Sequence, residues 1–195
     1  MLVNAVSEES YLKIMDSSRS AERARSILLL IFLFSVGVVL VTTVYGIIMS
    51  IIQGTEVVGQ TFVDVEFPPI HIFPFFYMKP VSWLFAAIIA LVHSTLELGK
   101  NRISRLSPFK KALVKLAAFI VGTLASYEVF FNFTLWSGLI GANAILGHLD
   151  PDLIINPFPN PKISWNIVFA TKMYLALMIA CFYTFIFISR SESQT

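Results

Sequence analysis

Residues 125–138 read ASYEVFFNFTLWSG, and they set Glu128 and Asn132 inside a run otherwise apolar enough to cross a membrane. An acidic residue at the centre of a transmembrane helix costs roughly 2.5–3.5 kcal/mol, so such residues face a protein interior and take a partner. The base at comparable depth is Lys172, in the last apolar run. With outer boundaries near Leu139 and Ser164, a rise of 1.5 Å per residue puts Glu128 about 16 Å down and Lys172 about 12 Å down. The sequence therefore predicts an intramembrane ion pair between them, with Asn132 or Tyr127 completing its hydrogen bonds and span three locked to span four.

Outward from this stretch the apolar residues come in blocks. Hydrophobic residues make up 56% of the chain and charged ones 13%, with eighteen Phe, which argues against a water-soluble core. Four blocks, about 27–52, 81–98, 112–139 and 164–189, reach the roughly 20 residues needed to cross about 30 Å of hydrocarbon. The expected fold is an all-α integral membrane domain over 27–189: a four-transmembrane-helix bundle with an N-terminal amphipathic helix and two structured outer loops. Residues 1–26 form the N-terminal segment and 190–195 a short tail.

The first block is too long and too late for a cleaved signal peptide, whose apolar core is about 7–15 residues, and reads as a retained span. Before it, SEESYLKIMDSSRSAERAR mixes acids and bases around Tyr11, Leu12, Ile14 and Met15. This is an amphipathic helix on the membrane surface or a solvated tail. Span one carries no charge, and Ser35, Gly37, Gly46 and Ser50 permit close helix contact. Pro80 suits the first turn of span two. Near the far end of that span His93 and Glu97 lie one turn apart, a spacing for a hydrogen-bonded pair or for a metal or proton site. Lys115, in the first turns of span three, is the expected partner of Glu97 across the hairpin.

Between spans one and two, VVGQTFVDVEF alternates and is rich in β-branched residues, which predicts a strand or hairpin. The following PPIHIFPFFY is barred from helix by Pro68, Pro69 and Pro74. The second outer loop holds His148, Asp150 and Asp152 and then NPFPNP, an extended strap. His71 with Asp64 and Glu66, or His148 with the two aspartates, makes a metal site conceivable, but no paired His or Cys spacing supports one. Cys181 is the only cysteine, so no intrachain disulfide or Cys-based zinc site exists, and no cofactor is expected. Phe73, Phe75, Phe76, Phe158 and Trp165 are the candidate partner-interface residues.

Basic residues set the orientation. Of the fourteen Lys and Arg, four precede span one, five (Lys100, Arg102, Arg105, Lys110 and Lys111) lie between spans two and three, and Arg190 follows span four. Only Lys79 and Lys162 occupy the other two loops. The positive-inside rule puts both termini and the basic segment in the cytoplasm, in the cell membrane, with the aromatic, proline-rich loops outside. The basic segment is also a candidate surface for anionic lipid.

Over Phe133 to Met173 the segments FTLWSG, NPFPNP and WNIVFATKM resemble four-span proteins of ammonia-oxidising archaea. In that respect the chain is similar to accessory subunits of the archaeal ammonia monooxygenase, a copper membrane monooxygenase. The resemblance implies scaffold rather than catalyst, since the His-rich metal patterns expected of that enzyme's catalytic subunits are missing. The first functional expectation is therefore a non-catalytic accessory subunit of a membrane complex, supported by outer loops too apolar to face water. The alternative is a small transporter or proton conductor using Glu128, Lys172 and His93. Against that alternative, the chain shows no internal repeat and no Gly/Pro-interrupted span. A haem or quinone protein is a third, weaker reading, since bis-His haem needs two histidines within spans and only His93 qualifies.

Overall fold

A computed structural model describes residues 2–54, 59–64, 71–73, 76–77, 79–147 and 166–192. Its elements are α1 (Leu2–Gln53), α2 (Gln60–Asp64), β1 (His71–Phe73), β2 (Phe76–Tyr77), α3 (Pro80–Leu98), α4 (Lys100–Ser104), α5 (Pro108–Ile145) and α6 (Ile167–Glu192). Four helices, α1, α3, α5 and α6, are long and apolar enough to cross a membrane.

Local chemistry sets several of the helix ends. Pro80 opens α3 and Pro108 opens α5, where a missing N–H costs nothing. Asn166 caps α6: its side-chain Oδ1 accepts from the backbone N–H of Val168 at 2.9 Å and of Phe169 at 3.1 Å. The 52 residues of α1 span about 78 Å and the 38 of α5 about 57 Å, so both exceed the hydrocarbon thickness. The N-terminal segment is thus an unbroken continuation of span one, rather than a separate helix turned onto the membrane surface.

Packing runs in an open row. α1 lies against α3, α3 against α6, and α6 against α5, while α1 and α5 share no packed interface among the described residues. A closed four-helix bundle is therefore not the arrangement seen. α3 and α6 run parallel, tied at two levels by residues the same distance apart in sequence, Ser82 to Lys172 and His93 to Tyr183. α5 runs antiparallel to α6. Among its buried or half-buried positions, Lys111, Lys115, Ala118, Gly122, Ala125, Val129, Asn132 and Trp136 recur every three or four residues. That spacing is the seam of a left-handed helix pair.

Across the C-terminal end of α1 and the N-terminal ends of α3 and α6 lies α2. Its Phe62 ring sits over Gly46 of α1 and meets Phe169 of α6 in a tilted arrangement at a centroid distance of 5.3 Å. Ser50 and Thr61 share a hydrogen bond of 3.0 Å, and Asn166 Nδ2 donates to Gln60 Oε1 at 2.8 Å. Part of the stretch expected as a strand is thus a helical turn. The antiparallel ladder lies further along, with His71 opposite Tyr77 and Phe73 opposite Phe76.

Candidate functional site

The α5–α6 register fixes the depth of each intramembrane polar group. Gly122 faces Cys181 and Phe182, and Phe119 meets Phe185 at 5.9 Å between ring centroids. Continued antiparallel, this register sets Asn132 opposite Lys172 and Glu128 opposite Leu175 and Ala176. The offset between Glu128 and Lys172 is then only about 5 Å, about one helical turn. Nevertheless, Lys172 Nζ donates to Ser82 Oγ on α3 at 2.8 Å. Glu128, half-buried, makes no hydrogen bond or ion pair among the described residues.

Direction explains why the expected pair does not form. A helical Cα–Cβ bond tilts toward its own N-terminus. On α6 that tilt carries Lys172 toward the N-terminal end of its helix, where it meets Ser82. On antiparallel α5 it carries Glu128 the opposite way. Lys172 also turns to the α3 side of its helix, away from α5.

Asn132 and Trp136 lie on the α5 seam, where Asn132 Nδ2 and Trp136 Nε1 are buried without an acceptor. Trp83 Nε1 on α3 is in the same condition. Glu128 flanks that seam. The stretch that defines span three therefore divides into a seam-facing amide and a carboxylate beside it.

Toward the other end of α3, His93 and Glu97 converge on a residue the sequence did not single out. His93 Nδ1 lies 2.8 Å from the Tyr183 hydroxyl, and Glu97 lines the same cleft as Tyr183. Glu97 thus faces α6. The hairpin partner expected for it, Lys115, sits on α5, and α6 intervenes between that helix and α3. Tyr183 could have been found from its place on the apolar run of α6, where a hydroxyl needs a partner.

Of the five bases between spans two and three, Lys100, Arg102, Arg105 and Lys110 are exposed. Lys111 is only 5% exposed, at the foot of the α5 seam, and does not belong to the open basic surface. Among the described residues no group of three or more His, Cys, Asp or Glu could hold a metal ion. Phe75, Phe158, Trp165, His148, Asp150, Asp152 and Glu66 lie outside the described residues, as do the side chains of Asp64, His71, Phe73 and Phe76. No family model, curated protein or solved structure matches the chain.

Proposed function

We propose that this chain is a non-catalytic accessory subunit of a larger integral membrane complex. The observation that carries the reading is Glu128: a carboxylate at mid-helix, on the edge helix of an open row, with no partner among the described residues. Left in lipid, such a group costs roughly 2.5–3.5 kcal/mol, and a neighbouring subunit packed on α5 offsets this by supplying a donor or cation. The aromatics Phe73, Phe75, Phe76, Phe158 and Trp165 are the proposed partner contacts in the outer loops. The complex is of the archaeal ammonia monooxygenase type, on the resemblance of FTLWSG, NPFPNP and WNIVFATKM. Both termini are cytoplasmic.

Gentle purification from the native membrane tests this. The expected result is stoichiometric recovery with copper monooxygenase subunits, lost in Glu128→Gln while the isolated variant keeps its helicity and elution volume. A lone, monodisperse protein that conducts protons in liposomes, with conduction abolished by Glu128→Gln, would instead establish the transporter reading.

A further inference from the structure

A cleft of about 830 Å³ opens where α1 meets the α3–α4 turn. Its walls are of two kinds. Arg25 from α1 and Lys100 and Arg102 from α4 bring three cations to the lining, and Leu28, Phe32 and Leu98 give it an apolar side. Glu97 is the single acid in the lining, against three cations. Arg25 marks the charged boundary of span one, and Phe32 lies seven residues deeper, about 10 Å along the helix. Cations at the boundary above apolar side chains at acyl depth match one class of molecule from end to end.

We infer that this cleft binds the phosphate-bearing headgroup of an anionic phospholipid, with an acyl chain running beside Leu28 and Phe32. Arginine forks suit phosphate oxygens, and a negative headgroup relieves the mutual repulsion of the three cations. A soluble phosphate would use the cations alone. A phospholipid uses both walls, and this commits the site to lipid. The bases outside the cleft, Arg105 and Lys110, attract anionic surfaces only through long-range charge, which salt screens.

The test uses the full chain, delipidated in zwitterionic detergent and titrated with phosphatidylglycerol, phosphatidylcholine or inorganic phosphate, with bound lipid counted by native mass spectrometry. Phosphatidylglycerol is expected to bind at one copy per chain. The Arg25→Gln/Arg102→Gln double variant should weaken it about tenfold or more, since each charge-assisted hydrogen bond contributes on the order of 1.5–3 kcal/mol. Arg105→Gln/Lys110→Gln should change it less than about twofold, as expected for screened surface charges. Ala24→Trp, which fills the cleft and keeps every cation, should abolish the one-copy binding. Equal losses in the two double variants, undiminished binding in Ala24→Trp, or inorganic phosphate competing as well as the lipid would each overturn the assignment.

Discussion

Lys172 and Glu128 show how far depth alone misleads at the level of single residues. Both sit where a buried pair could form, yet Lys172 reaches toward the N-terminal end of α6 to Ser82 and Glu128 leans the opposite way on an antiparallel helix. This geometry makes a quantitative demand. Had they formed a buried ion pair, removing either partner would cost about 3–5 kcal/mol. Instead, Lys172→Met removes a half-buried cation whose partner is a neutral hydroxyl, and Ser82 can turn to a backbone carbonyl of its own helix. A double-mutant cycle with Glu128→Gln and Lys172→Met, read from unfolding in mixed micelles, should give a coupling below about 0.5 kcal/mol. A coupling above about 1.5 kcal/mol would restore the ion pair.

At the level of elements, the small residues of the spans separate into working and idle positions. A Cβ on Gly122 would come within 3.2 Å of Cys181 Cβ, so α5 and α6 touch there. Around Gly37 nothing lies within 4 Å. Gly122→Leu should therefore force the seam apart and cost about 1–3 kcal/mol by overpacking. Gly37→Leu should be neutral or stabilising by up to about 1 kcal/mol, because glycine is a poor residue in a helix interior. Thermal stability of the two variants in the same detergent checks the contrast, and equal losses would refute the helix pairing.

The same elements show what the sequence disclosed. The four spans were legible because about 20 consecutive apolar residues have few other uses. The cap at Asn166 sets the start of α6 two residues later than the Ser164 boundary expected from the apolar run. Within the stretch expected as a strand, the described residues 60–64 form a helical turn for a physical reason: β-branched alternation is a weak, context-dependent preference. Here Gly59, at φ +87°, leads into a helical turn, and Phe62 is held between Gly46 and Phe169. Neither contact is local in sequence. Tyr183 escaped notice likewise, because its partner His93 is 90 residues away.

Across the whole molecule, the open row and the charge distribution bear on each other. In a closed bundle the membrane-facing surface is similar all round, but a row has two broad faces and two edges, α1 and α5. Those edges reach past the hydrocarbon at opposite ends: α1 continues through Arg25, Arg23 and Arg19, and α5 through Ile140 and Ala144. The arginine-bearing extension and the uncharged one are therefore expected on opposite sides, with the Lys/Arg-rich side cytoplasmic by the positive-inside rule. Cys181 is the only native thiol, so a Cys181→Ser background leaves single introduced cysteines as clean reporters. Ala21→Cys on the extension of α1 should react with a membrane-impermeant maleimide only after the cells are permeabilised. Ala144→Cys at the far end of α5 should react in intact cells. Labelling of Ala21→Cys alone in intact cells would invert the molecule and move the Arg25–Arg102 cleft to the outer leaflet. Labelling of both would mean that α1 and α5 do not end on opposite sides of the membrane.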